Sequence, residues 1–256
     1  MLTVSETAEL LRSFDRVLIL THIRPDGDTV GCAAGLCAAL RALGKTAFLL
    51  PNPGLTDTTA PYFAPYAAPA EFTPEKVLSV DIAAVGLFPD NAQKYLPRVD
   101  LAIDHHPSQE FFAQRTCLDA GRAACGELMY DILRLLGPVT ADIATPLYVA
   151  VSTDCGCFVY GNTTAATHRV AADLIDCGIP LSQLNKRHFR TKSIRRLRLE
   201  KGYSVKELQE YLGLGCPQGV YQWQAGRSLP SVDNLYAVSR LWGVSMNEIL
   251  VERESA

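Results

Sequence analysis

No run in this sequence approaches the roughly 18 apolar residues that a bilayer-spanning helix needs, which sets a transmembrane segment aside. Residues 1–13 carry Glu6 and Glu9 where a secretory leader would have a basic segment followed by a long apolar one, so a cytoplasmic protein without membrane contact is expected. None of the eight cysteines stands in a CxxC pair, and Cys155 with Cys157 makes only CxC. A zinc ribbon is therefore not indicated, and reduced, mostly buried thiols are the expectation. A large charge excess is also missing, since the net charge is −3. That small figure covers an asymmetry: residues 1–190 hold 15 basic and 20 acidic side chains, and 191–256 hold 9 and 7. Only the tail leans, mildly, toward nucleic acid.

What is present is 256 residues, 48% of them apolar and 20% charged, enough for two cores. Over the first 177 residues short apolar runs alternate with helical stretches. This is the pattern of an α/β domain, a mainly parallel sheet with helices on both faces. Strands are expected at 17–21 (VLILT), 46–50, 77–82 and 99–103, and helices at 29–43, 121–136, 140–152 and 164–177. Residues 51–74, rich in Pro, Ala and Tyr without a period, read as a long loop. From Lys192 onward no strand pattern remains. Five short helical segments with turns at Gly202, 213–216, 226–230 and Gly243 read as a small all-α module. The domains are thus placed at 1–190 and 191–256. The basic junction 186–202 (KRHFRTKSIRRLRLEKG) reads as continuous helix, with no Gly/Ser or Pro-rich linker.

Asp and His gather where strands end. THIRPDGD places His22, Asp26 and Asp28 after the first strand, SVDIA places Asp81, AIDHH places Asp104, His105 and His106, and STDCGCF supplies Asp154. In open parallel sheets ligands collect outside the carboxyl ends of the strands, so these residues can share one crevice. Carboxylates packed together without cations raise one another's pKa, so divalent metal is the simplest reason for their company. Imidazole and carboxylate without thiolate suit manganese first, then magnesium, zinc or iron. Two cations about 3.5–4 Å apart would suit in-line hydrolysis of a phosphoester. The competing reading of a lone Asp after a strand is a turn former or helix N-cap, and Asp28 before Thr29 is the clearest case.

The four segments THIRPDGDTVG, SVDIA, AIDHH and STDCGCF resemble, in order and approximate spacing, the RecJ-like DHH phosphoesterases. They look most like the branch that degrades very short RNA and dephosphorylates 3′-phosphoadenosine 5′-phosphate. The resemblance spans residues 1 to about 190. It implies that His22 and Asp26 bind one metal, Asp28 and His105 the other, and that Asp81 and Asp154 are shared by or lie between the two. It places His106 beside the substrate phosphate and gives Asp104 the role of orienting the two histidines. Asn162 and Thr163 also match the pattern, with a turn and a helix N-cap as the equal alternative. Cys32 and Cys155 depart from the usual Ser and Thr. A larger departure is that nothing after Thr191 resembles the DHH-associated domain, with its Gly-Gly-Gly-His-type segment, that supplies substrate contacts in this branch.

In the tail, Ser204 is an N-cap for SVKELQEYLGL, and Glu207 completes a capping box. Pro217 opens PQGVYQWQAG, whose spacing turns Val220 and Trp223 inward and leaves Gln218, Gly219, Tyr221 and Gln222 outward. Together with SLPSVDNLYAVSRLWGVSMNEILV this resembles a Cro/repressor-type helix-turn-helix. The resemblance implies double-stranded DNA as partner, with the two Gln side chains reading adenine edges, and a homodimer on paired half-sites. Arg195, Arg196, Arg198, Arg227 and Arg240 are candidate phosphate contacts, or plain solvated charges. Two functions follow. One is a two-metal phosphoesterase for short oligonucleotides or nucleotide phosphates with a DNA-binding tail. The other is a DNA-binding regulator whose α/β domain senses nucleotide or metal and hydrolyses little.

Overall fold

The structure is a computed structural model, described for residues 1–189, 194–225 and 227–249. The chain divides into two compact units, Met1–His188 and Phe189–Ala256. No helix among the described residues is long and apolar enough to cross a membrane.

The first unit is an α/β fold around five parallel strands. β1 (Val17–Leu20), β2 (Ala47–Leu49), β3 (Lys76–Val80), β4 (Leu101–Asp104) and β5 (Thr116–Leu118) lie in the order β2-β1-β3-β4-β5. The run VLIL is apolar at every position because β1 is covered on both faces. Val17 and Ile19, with Leu78, Val80, Leu101 and Ile103, pack on the α-helical side. Leu18, Leu20 and Val77 face a second core completed by Phe88, Ala92 and Val99.

The α-helices in chain order are α1 (Val4–Ser13), α2 (Gly27–Ala42), the short α3 (Ala60–Phe63), α4 (Cys125–Leu136), α5 (Ala141–Asp154), α6 (Ala165–Asp176) and α7 (Leu181–Phe189). The second face is covered in part by the 3₁₀ helix Asp90–Arg98, so helices do lie on both faces. The sequence reading assigned neither α1 nor β5. α1 begins with a complete capping box, Thr3 with Glu6. The span 51–74 is not all loop, since it holds α3 and a further turn of 3₁₀ helix, Ala64–Tyr66.

Helix α2 is almost wholly buried and packs along α5. Its Gly27, Gly31 and Gly35 fall on one side at four-residue spacing, and there the backbones come close. A Cβ on Gly31 would lie 2.3 Å from the Pro146 carbonyl oxygen, and one on Gly27 would lie 2.2 Å from Thr153 Oγ1.

The second unit is all-α: α8 (Ile194–Glu200), α9 (Val205–Tyr211), α10 (Gln218–Gln224), α11 (Val232–Trp242) and α12 (Met246–Ile249). Its core is Ile194, Leu197, Leu208, Val220, Leu235, Val238, Trp242 and Ile249. The Ser204/Glu207 capping box is formed, and Gly243 closes α11 in the left-handed conformation at φ 64°. The expected continuous helix across the junction runs through residues 190–193, which lie outside the described residues, as do Gly226 of the expected turn and Leu250 at the end of the last segment.

Candidate metal centre

β1 runs into His22, β3 into Asp81, and β4 ends at Asp104 and continues into His105 and His106. The strand order reverses between β1 and β3, which opens the crevice where parallel sheets place ligands. α2 begins beside it. Its N-cap is Asp26, whose Oδ1 accepts from the amides of Asp28 (3.0 Å) and Thr29 (3.2 Å), so the cap falls two residues before the Asp28 considered for it. Asp154, the last residue of α5, arrives from the other side because the α2 glycines let α5 approach.

Two triads result. The His22, Asp26 and Asp81 ligand atoms lie within 4.8 Å of one another, as do those of Asp28, His105 and Asp154. In the first, His22 Nε2 is 3.5 Å from Asp26 Oδ1 and 3.9 Å from Asp81 Oδ2. In the second, His105 Nε2 is 3.7 Å from Asp28 Oδ2 and 3.6 Å from Asp154 Oδ2. Asp81 joins the two, its Oδ1 standing 3.6 Å from His105 Nε2. These separations exceed hydrogen bonds and suit atoms sharing a cation at about 2.0–2.2 Å each. Asp81 is held at φ 57°, a left-handed conformation rare outside glycine.

The buried polar atoms test whether a cation belongs here. Asp81 Oδ1 and His105 Nε2 are buried without a hydrogen-bond partner. His105 Nδ1 lies 3.1 Å from the Arg122 carbonyl oxygen, which can only accept, so Nδ1 carries the proton and Nε2 presents a lone pair. The carboxylate oxygens of Asp28, Asp81 and Asp154 and the His105 Nε2 lone pair thus converge as acceptors, a donor set that suits a divalent cation. Burial, reinforced by the neighbouring Asp154 charge, pushes Asp28 well above the usual carboxylate range. Burial, then the Asp28 charge, does the same to Asp81, and burial also raises Asp154. For Asp26, burial pulls upward, but the neighbouring His22 and the amides of Thr29 and Asp28 prevail and hold the carboxyl below its ordinary value.

Asp104 faces elsewhere. It is fully buried, and its Oδ1 accepts from the backbone amides of His105 (2.8 Å) and His106 (3.2 Å) and pairs with His106 Nδ1 at 2.8 Å, while Oδ2 accepts from Gln109 Nε2 at 2.6 Å. It therefore orients the His106 ring, and holds His105 only through its backbone. The hydrogen bond to Asp104 keeps His106 protonated above its ordinary pKa. His106 lines a cleft of about 500 Å³ with His22, Asp26, Asp81 and Asp154, beside Arg24 and the apolar Ile23 and Leu87.

The sequence reading overlooked Arg24, although it lies inside THIRPDGD, and Gln109, whose only sequence signal is nearness to Asp-His-His. It also missed the amides of Cys125 and Gly126, which donate to Asp28 at 2.7 and 2.9 Å. Of the departures considered, Cys32 lends its thiol to Asp28 Oδ1 at 3.3 Å, and Cys155 is buried, its thiol pushed up to about 12 by that burial. All eight cysteines are free, five of them buried. Asn162 donates to the carbonyls of Ala123 (3.1 Å) and Asp154 (3.2 Å), and the cap of α6 is Thr164, one residue after Thr163.

In the second unit Val220 is buried and Trp223 half-buried, while Gln218 and Tyr221 are exposed and Gly219 and Gln222 are partly so. Arg196 pairs with Glu200 at 2.9 Å and Arg198 donates to the Tyr203 carbonyl, so both serve the unit itself. Arg195, Arg227 and Arg240 are exposed.

Residues 16–151 match the model of the DHH family, N-terminal domain, and residues 194–249 match that of a helix-turn-helix. The chain is 35% identical over 199 residues to the bifunctional oligoribonuclease and PAP phosphatase NrnA of Thermus thermophilus, covering 74% of this chain and 59% of that one. It is 27% identical to the Bacillus subtilis protein of the same name, covering 72% and 61%. The chain thus spans about three-fifths of the length of the curated relatives it matches. Among solved structures, an exopolyphosphatase-related protein from Bacteroides fragilis superposes with a TM-score of 0.65 at 20% identity, over 81% of this chain and 64% of that one, a likeness of fold.

Proposed function

The chain belongs to the DHH family, and on that premise we propose that its first unit is a metal-dependent phosphoesterase acting on short oligonucleotides or nucleotide phosphates. The observation that carries this is the pair of triads joined through Asp81, with Asp81 Oδ1 and His105 Nε2 both buried and without partners. Two divalent cations, manganese by donor set, would be held by His22, Asp26 and Asp81 and by Asp28, His105 and Asp154. They would supply Lewis-acid polarisation of a phosphoryl oxygen and a nucleophile at neutral pH. Asp81 keeps the two triads at fixed spacing, and its left-handed backbone aims one carboxylate oxygen at each. Asp104 holds His106 by Nδ1 and leaves Nε2 for the cleft, where the raised pKa lets the ring donate a proton to a phosphate oxygen. Arg24 adds a cation at the cleft mouth for an anionic substrate, and Ile23 and Leu87 give apolar surface beside it. The relatives' names mention an oligoribonuclease and PAP phosphatase, which supports nucleotide phosphoesters as the substrate class.

The second unit is read as a DNA-binding module, with Gln218, Gly219, Tyr221 and Gln222 of α10 toward the major groove, working as a homodimer. The domains are taken as 1–190 and 191–256. A second reading has one observation in its favour: the match covers only about three-fifths of the relatives' length, and residues 194–249 match a helix-turn-helix. In that reading the first unit binds metal or nucleotide, hydrolyses little, and reports to a DNA-binding tail.

The deciding assay is hydrolysis of a labelled dinucleotide and of 3′-phosphoadenosine 5′-phosphate by the full chain with Mn²⁺, with Asp154→Ala as control. Turnover lost in the variant supports the phosphoesterase. Absence of turnover with metal bound favours the sensor.

A further inference from the structure

The three residues of one triad hang on a single stretch, the loop before α4 and the first two residues of that helix. Within Arg122–Gly126, the Arg122 carbonyl fixes the His105 ring at 3.1 Å, and the Cys125 and Gly126 amides donate to the two oxygens of Asp28 at 2.7 and 2.9 Å. The Ala123 carbonyl shares the Asn162 amide with the Asp154 carbonyl. No such bond among the described residues ties this loop to His22 or Asp26, which are set by the end of β1 and the start of α2. The loop is in turn pinned by one side chain. The Arg122 guanidinium bonds Asp119 through Nε at 2.8 Å and Asp131 of α4 through Nη2 at 2.7 Å, with buried Glu127 at 3.8 Å from Nη1.

We propose that Arg122 is a positioning residue for one metal subsite alone, the one formed by Asp28, His105 and Asp154. The inference rests on the two-metal reading above. A guanidinium held by Asp119 in the loop and by Asp131 on α4 ties the loop to that helix with a rigid fork, keeping its carbonyl and the two amides in place, a geometry that a lysine ammonium does not reproduce. Removing it leaves every proposed ligand in the sequence but loosens what aims two of them. Partners at this remove typically change metal affinity by about 10–100-fold.

The test is a Mn²⁺ titration of the full chain, followed by electron paramagnetic resonance of free Mn²⁺ and by calorimetry. Wild type, Arg122→Gln, Arg122→Lys and Asp131→Asn are compared, the last standing in should the Arg122 variants not fold. The expected result is two sites in wild type. In Arg122→Gln one of them should weaken about 10–100-fold while the other stays within a factor of two. Arg122→Lys should recover only part of the loss. Equal weakening at both sites, or unchanged affinity at both, overturns the positioning role while leaving the metal reading intact. A wild-type chain that takes up no Mn²⁺ overturns the metal reading itself, and this inference with it.

Discussion

Gly31→Ala places one methyl group against the backbone of α5, where the two helices run close. The new Cβ would meet the Pro146 carbonyl oxygen at 2.3 Å and Ala150 Cβ at 2.8 Å, so α2 must move by about 1 Å to restore ordinary contact. The nearest atom is backbone and cannot rotate away. Overpacking of this kind costs about 1–3 kcal/mol, and a rigid carbonyl puts it near the upper end. Alanine is the better helix former by roughly 1 kcal/mol, which offsets part of it. A net loss of about 2 kcal/mol remains, or roughly 4–8 °C in Tm for a domain of this size. The shift also carries Asp28 away from Asp154, so Mn²⁺ affinity should fall along with stability. Thermal melts in chelator and in Mn²⁺, with Gly137→Ala as control because nothing lies within 4 Å of its Cβ position, read both effects. A Gly31→Ala protein as stable as wild type, with undiminished Mn²⁺ uptake, would refute the idea that these glycines set the spacing of the site.

Asp28→Asn keeps the shape of the side chain but removes its charge and one of the two oxygens that accept from the Cys125 and Gly126 amides. Mn²⁺-dependent hydrolysis should drop at least about a hundredfold, and retention of wild-type turnover would count against the metal assignment. Asp28 and Asp81 carry pKa values raised above the ordinary 3.8, so their contribution favours the fold below that value and is lost as pH climbs toward the raised folded pKa. The metal-free protein should therefore lose Tm as pH rises from about 4, and Mn²⁺ should recover it, most at the alkaline end. A flat metal-free profile goes against this. Ser204→Ala breaks a complete capping box and should cost the second unit about 1 kcal/mol by denaturant melt, with an unchanged midpoint as the contrary result. Gln218→Ala with Gln222→Ala should abolish sequence preference in a DNA competition assay while leaving salt-sensitive background binding; unchanged preference would point to another reading surface.

The strands that carry the site were legible because a buried parallel strand announces itself as an unbroken apolar run, as in VLIL, and because Asp and His directly after such runs have few structural reasons to be there. β5 went unread because three residues, TCL, give no period, and its placement depends on pairing with β4, which is a long-range fact. Helix α1 has its signal in Thr3 and Glu6, a capping box that the sequence reading passed over. Within the site, Asp26 and Asp28 could not be ranked as caps from spacing alone, since either carboxylate can accept from the amides that follow it and it is Asp26 that does so. The partners of Asp28 and His105 are backbone groups of the loop around Arg122, and backbone donors leave no residue-type signature for a sequence to show.

His22 and Asp154 lie more than half the chain apart, and the centre draws on both. A nascent chain that has made β1 and α2 already holds His22, Asp26 and Asp28, but those three alone form no enclosed site. Closure waits until β3, β4 and α5 have been made and packed, so the centre depends on late, long-range contacts. Metal capture should accordingly come at the end of folding and serve as a seal on a finished domain, with little part in guiding its assembly.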